Sequence, residues 1–206
     1  MIKKALIIDL DNTIFPVSSL SGDLFLPILT LIEKSGEFEG DFNKVRNDIL
    51  RRPFQRVASD YNFSEKLIAE GTVLLSNAVC TRRISTYDDY EELKNIKCKK
   101  YLVTSGFIKM QQSKIAQLGI ENDFEEIHII DPLTSQNTKK DVFSNILERH
   151  HLKKPEVLVV GDDIDSEIKA AGELGIDAVL YDRNETILRI NGIIKISDFR
   201  DLSVYL

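Results

Sequence analysis

Asp9 and Asp11 stand two residues apart where an apolar run ends, in Ala5-Leu6-Ile7-Ile8-Asp9-Leu10-Asp11-Asn12-Thr13. Neighbouring carboxylates push each other's proton affinities apart, so one stays ionised while the other holds a proton. Such a pair can supply a nucleophile and a general acid and base, although Asp11-Asn12 alone would also suit an ordinary turn. A second apolar run ends in Leu102-Val103-Thr104-Ser105-Gly106. A hydroxyl there can bind a phosphoryl oxygen, or simply cap a helix. Lys139 and Lys140 open a helical stretch. A lysine neutralises phosphate as a point charge, and in a first helical turn it opposes the helix dipole, a mild cost that a use would explain. A further apolar run, Val157–Val160, leads into Gly161-Asp162-Asp163-Ile164-Asp165-Ser166-Glu167. Acids so crowded repel one another unless a cation or a proton relieves them. Carboxylates with water form the hard-oxygen donor set that suits Mg²⁺.

The elements that must position these groups follow from the apolar pattern. Continuous runs at Ala5–Ile8, Tyr101–Val103, Ile127–Ile130, Val157–Val160 and Ala178–Tyr181 predict strands buried on both faces of a parallel sheet. Helical patterns fill the gaps at residues 107–118, 139–151 and 164–174, the first and last stopped by Gly119 and Gly175. Thr138 and Asp141 have the spacing of a capping pair. Alternation of this kind predicts an α/β fold with a doubly wound parallel sheet. The interval between Asp9 and Thr104 breaks the rhythm, being far longer than the roughly 30 residues of a βαβ unit. Helical periodicity at Asp23–Lys34, Gly40–Arg52 and Ser64–Arg82 makes residues 16–87 an all-helical insertion. Residues 1–15 and 88–206 form the α/β core, and the insertion, having no strand of its own, is expected to be removable from it. Ser197–Leu206 is expected to close the sheet edge as a short amphipathic helix.

Composition narrows the class. A formal charge of −6 argues against a general nucleic-acid binder. No apolar run approaches the roughly 20 residues of a membrane helix, and the first run breaks at Asp9, too early for a secretory leader. Two cysteines, Cys80 and Cys98, make neither a disulfide framework nor a zinc ribbon. The expectation is a soluble, cytoplasmic, reduced protein without nucleic-acid or membrane partners, monomeric or homodimeric.

Taken together, Asp9-Leu10-Asp11-Asn12-Thr13, Thr104, Lys139 and Gly161-Asp162-Asp163 with Glu167 resemble the motifs of the haloacid dehalogenase-like (HAD) superfamily of phosphohydrolases. The resemblance covers the core segments. It is strong over 139–183, and departs from the family in ending its last motif with Glu167 where aspartate is commoner. It implies a Rossmann-like sheet of order 5-4-1-2-3 and places residues 16–87 as a helical C1 cap. It further implies a Mg²⁺-dependent phosphoric monoester hydrolase acting on a small phosphorylated metabolite. In that role Asp9 is the nucleophile and Asp11 the acid and base. Thr104, Ser105, Gly106 and Lys139 bind the phosphoryl group. Asp9, the Asp11 carbonyl and Asp162 hold the metal, with Asp163 and Glu167 acting directly or through water. Lys139 is preferred to Lys140 by its offset of four from Phe143. An acid two residues after the nucleophile fits phosphoryl transfer rather than dehalogenation. The alternatives are a phosphomutase or other HAD phosphoryl transfer, and a non-enzymatic phospho-acceptor or regulatory member. Arg51, Arg52 and Arg56 in the insertion form either a solvated basic face or an anion-recognising one.

Overall fold

A computed structural model describes residues 2–20, 22–188 and 192–206; Ser21 of the expected insertion and residues 189–191 of the expected core lie outside the described residues. The chain runs β1 (Ala5–Ile8), α1 (Gly22–Ser35), α2 (Phe42–Ile49), α3 (Phe54–Asp60), α4 (Glu65–Asn77), α5 (Tyr90–Asn95) and β2 (Lys99–Ser105). It continues through α6 (Ile108–Leu118), β3 (Glu126–Ile130), α7 (Lys139–Arg149), β4 (Val157–Gly161), α8 (Lys169–Leu174), β5 (Asp177–Tyr181) and β6 (Ile194–Ile196). The strands form one sheet of order β3-β2-β1-β4-β5-β6, every pair parallel. The five expected strands are present in the expected order. The sixth is an addition: three residues of mixed exposure carry no readable periodicity.

Alternate residues of each strand point to opposite faces, and the sheet is buried on both. Leu6, Ile8, Leu102, Leu158 and Val160 join one apolar cluster, while Ala5, Ile7, Tyr101, Val103, Val157 and Val159 join another. The second cluster is closed by Val142, Phe143 and Ile146 of α7 and by Ala170 and Ala171 of α8. The first also takes in Met110 and Ile115 of α6 and Ile28, Ile32, Val45, Phe54 and Leu67 of α1–α4. Helices between β1 and β2 therefore share an apolar cluster with the sheet.

Several local readings are corrected. The stretch expected as Gly40–Arg52 is helical only over α2, and Pro53 starts a separate α3. The helix expected to reach Arg82 stops at Asn77. Residues 164–174 begin as a π-helical turn, Ile164–Ile168, before α8. The chain end is a 3-10 turn, Phe199–Val204, which buries Phe199 and Leu202. No helix among the described residues is long and apolar enough to cross a membrane.

Candidate active site

Ile8 lies level with Leu102 of β2 and Val160 of β4. The three strands thus deliver Asp9, Thr104 and Asp162 to the same, carboxyl edge of the sheet. There the order reverses direction around β1, the place where open α/β sheets bind ligands. Asp9 is anchored by its own N–H, which donates to the Val160 carbonyl at 3.0 Å, and its side chain is buried.

Beyond Asp9 the chain turns back at once. Ile14 N–H donates to Leu10, Asn12 N–H donates to Phe15, and Asp11 bridges Phe15. Asn12 has a φ of 57°, a left-handed conformation that asparagine tolerates better than most residues. Its Oδ1 accepts from Val17 N–H. This turn fixes the backbone of Asp11. The Asp11 side chain is met by Lys114, whose Nζ lies 2.8 and 3.0 Å from its two oxygens, and by Gln111 Nε2 at 3.0 Å. Gln111 Nε2 also donates to Thr104 Oγ1 at 2.6 Å.

Neither Gln111 nor Lys114 was among the expected site residues. Both lie on the buried stripe of α6 with Met110 and Ile115. A glutamine and a lysine on an otherwise apolar face was the available signal, since long polar side chains are rarely buried unless paired. Gly106 makes room for this arrangement. It has a φ of 153°, and a Cβ there would lie 3.0 Å from Gln111 Cδ. The N-terminus of α6 has no cap from its own flank; Asp131 at the end of β3 supplies one, accepting from Ile108 N–H at 3.1 Å.

Lys139 enters from the first turn of α7, started by the expected pair: Thr138 Oγ1 accepts from Asp141 N–H and Asp141 Oδ2 accepts from Thr138 N–H. Phe143, four residues on, is buried in the core, and Lys139 is buried on the same face. Its Nζ sits 2.5 Å from Asp9 Oδ1 and also pairs with Glu167. Lys140 points away to Glu173 at 3.0 Å.

The π-helical turn decides which acids face the site. Such turns recur at functional sites because the extra residue re-aims a side chain. Here Glu167 folds back over Gly161, where a Cβ would lie 2.6 Å from Glu167 Cγ. Glu167 is buried and accepts from Asp163 N–H. Asp163 instead accepts from Asp165 N–H, and Asp165 is exposed. Of the crowded acids, Asp162 and Glu167 approach Asp9, one oxygen from each of the three lying within 4.8 Å of the others. Burial raises the proton affinity of Asp9 against the opposing pull of Lys139. Burial, with the Asp9 charge, pushes Asp162 up to about 8. A divalent cation would answer both costs, so the donor set fits Mg²⁺.

The site opens on a cavity of about 1060 Å³ that Arg51 and Arg56 also line. Arg52 lines it too, but pairs with Asp48 and Asp60 of its own region.

A family model for haloacid dehalogenase-like hydrolases matches residues 6–181. A glyceraldehyde 3-phosphate phosphatase of Methanopyrus kandleri is 24% identical over 203 residues, covering 88% of this chain and 85% of the relative. One of the same name from Methanocaldococcus jannaschii is 26% identical over 192 residues, covering 85% and 83%. Among solved structures, a HAD phosphatase from Thermococcus onnurineus superposes with a TM-score of 0.64 at 20% identity, over 98% of this chain and 96% of that one. YfnB of Bacillus subtilis, solved bound to magnesium, gives 0.61 at 17% identity, over 99% and 98%.

Proposed function

Because the chain belongs to the haloacid dehalogenase-like hydrolase family, we propose that it is a phosphatase that cleaves a small phosphomonoester through an aspartyl-phosphate on Asp9. Phosphoric monoester hydrolysis is the activity that its curated relatives are named for. The finer reading is carried by one observation: Asp9, at the end of the central strand, is gripped at Oδ1 by Lys139, with Asp162 and Glu167 converging on it. Two glyceraldehyde 3-phosphate phosphatases that match over most of the chain favour a sugar phosphate as substrate, within a class that includes nucleotide monophosphates and phosphoglycolate-like acids. The exposed Arg51 and Arg56 at the cavity suit an anionic ligand. Residues 16–87 act as the cap that selects it, and the enzyme works in the cytoplasm as a monomer or homodimer.

Asp9 attacks phosphorus with a carboxylate oxygen as the bond to the substrate alcohol breaks. Asp11 gives a proton to the departing oxygen. It then takes one from the water that attacks phosphorus, so that inorganic phosphate leaves and Asp9 is restored. Thr104 binds a phosphoryl oxygen, with Ser105 and Gly106 beside it. Lys139 holds Asp9 and offsets the repulsion between its carboxylate and the anionic substrate. Asp9, Asp162 and the Asp11 carbonyl would hold Mg²⁺, with Glu167 and Asp163 joining directly or through water. The ion when bound supplies positive charge where carboxylates and phosphate converge.

A phosphate-release panel in Mg²⁺, with glyceraldehyde 3-phosphate as its first member and other sugar phosphates, nucleotides and phosphoglycolate beside it, tests the reading. Turnover of at least one sugar phosphate that Asp9→Asn abolishes is expected. Turnover retained by Asp9→Asn, or no release from any phosphomonoester, would overturn it.

A further inference from the structure

Gln111 and Lys114 are buried, polar and aimed at the reaction, yet neither has a part in the mechanism above. We propose that they form a positioning pair that fixes the Asp11 carboxyl group and orients the Thr104 hydroxyl as a donor to the phosphoryl group. This inference rests on the proposed phosphatase reading and adds to it the two residues that set its acid–base group.

A carboxylate offers roughly four acceptor sites, two on each oxygen. Lys114 takes one on Oδ1 and one on Oδ2, at 2.8 and 3.0 Å, and Gln111 takes the second on Oδ2. The site left is on Oδ1, which becomes the oxygen that exchanges a proton with the leaving group and with water. The same contacts fix the glutamine amide. Its carbonyl oxygen cannot face the Asp11 carboxylate, so Nε2 does, and Nε2 has only hydrogens to offer. Its other hydrogen goes to Thr104 Oγ1 at 2.6 Å. Thr104 is thereby an acceptor toward Gln111, and its own hydroxyl hydrogen is left to donate elsewhere. Thr104 lines the cavity, so the phosphoryl oxygen is the acceptor it can meet there. Lys114 itself is held in place by α6 and lies 5.9 Å from the centre of the Phe15 ring. The residues three apart on α6 thus reach both ends of the reacting group, the leaving oxygen through Asp11 and the phosphoryl oxygens through Thr104.

Lys114→Met, Lys114→Arg and Gln111→Met, each alone and in an Asp11→Ala background, are assayed on an alkyl phosphate and on p-nitrophenyl phosphate. Small displacements of reacting groups cost about 10²-fold. Lys114→Met is expected to lower the first-turnover rate of alcohol release from the alkyl ester, read by rapid quench, by about that factor, with a smaller loss in the p-nitrophenol burst, whose leaving group needs no proton. Lys114→Arg should recover part of it. Gln111→Met should lower kcat and raise KM together, because Thr104 loses its fixed orientation. In Asp11→Ala, adding Lys114→Met should cost nothing more on the first-turnover rate. The Asp11 side chain is 27% exposed, so water can replace the lysine, and folding is checked by circular dichroism. If Lys114→Met does not fold, the Gln111→Met arm decides. A Lys114→Met loss in the first turnover that multiplies with Asp11→Ala, or that is equal on both esters, or a Gln111→Met variant with unchanged KM, would overturn the pair while leaving the phosphatase reading intact. If Asp11→Ala itself is undiminished on both esters, the phosphatase mechanism fails instead.

Discussion

At the scale of single residues, the two aspartates of the first turn should separate by leaving group. In the proposed mechanism Asp9→Asn replaces the attacking carboxylate by a neutral amide, and no leaving group compensates for that. In the same mechanism Asp11 protonates the departing oxygen, and general acid–base help is worth about 10²–10⁴-fold. An alkyl alcohol needs the proton, whereas p-nitrophenol leaves without it. Asp11→Ala should therefore release a burst of p-nitrophenol and then stall with phosphate on Asp9, since the attacking water still needs a base. Rapid-quench kinetics with mass spectrometry on the trapped protein reads both events. No burst and no adduct would contradict the assignment of Asp11. The converging oxygens of Asp9, Asp162 and Glu167 carry a second expectation. Turnover should vanish in a chelator and return with Mg²⁺ but not with Ca²⁺, which accepts more oxygens in looser geometry and can occupy both oxygens of Asp9. Activity in Ca²⁺ alone, measured by phosphate release, would contradict it.

At the scale of elements, the π-helical turn after β4 depends on Gly161, because Glu167 occupies the space a side chain would need. Gly161→Ala must displace Glu167, and with it the partner of Lys139. Overpacking of this kind costs about 1–3 kcal/mol, and a displaced Lys139 should lower kcat by about 10²-fold. Thermal unfolding and steady-state kinetics measure the two effects separately. The connection after β5 is organised by Asp182, which is buried and accepts from Thr186 N–H, Ile187 N–H and Lys195 Nζ. Burial works to raise its proton affinity, but these donors outweigh it and hold the carboxyl below its ordinary value of 3.8. The folded form thus binds this proton less readily than the unfolded chain. Its stabilising effect is present above that value and is lost as pH falls through the folded one. Asp182→Asn should lower stability at neutral pH by about 2 kcal/mol, and by less in acid, so urea midpoints of variant and parent should converge as pH drops below 4. Midpoints that stay equally far apart would contradict this.

At the scale of the molecule, the absence of strands among the described residues of 16–87 suggests a removable module, but the packing argues otherwise. Ile28, Ile32, Val45, Phe54 and Leu67 belong to the same apolar cluster as Leu6, Ile8 and Val160 of the sheet. Ser113 Oγ accepts from Cys80 N–H at 2.8 Å, and Tyr87 N–H donates to Ile14, tying the helices to α6 and to the turn behind Asp11. Replacing residues 16–87 by a short glycine-rich linker should uncover one face of the sheet and leave a chain with a lower unfolding temperature and exposed apolar surface. Circular dichroism melts with a hydrophobic dye read this directly. A core that melts like the parent would restore the removable module.

The sheet was legible because strands buried on both faces are continuous apolar runs, and Ala5–Ile8 is read to the residue. Its order came with the family resemblance, and the structure has it, with one short strand added. Lys139 could be chosen over Lys140 because helical spacing puts it on the face of Phe143, which is buried. The resemblance set Asp162 beside Asp9 but left open which of Asp163 and Glu167 turns toward it. That choice depends on a π-helical turn whose extra residue no regular period encodes. Nor could the sequence assign Gln111 and Lys114 their partners. Asp11 and Lys114 are 103 positions apart in the chain, and what makes a buried lysine tolerable is the carboxylate that the parallel sheet and α6 bring to it. Local pattern determined the strands, the helix faces and the reactive residue types. Tertiary structure decided which charges meet, because pairing across such separations is set by packing and not by spacing.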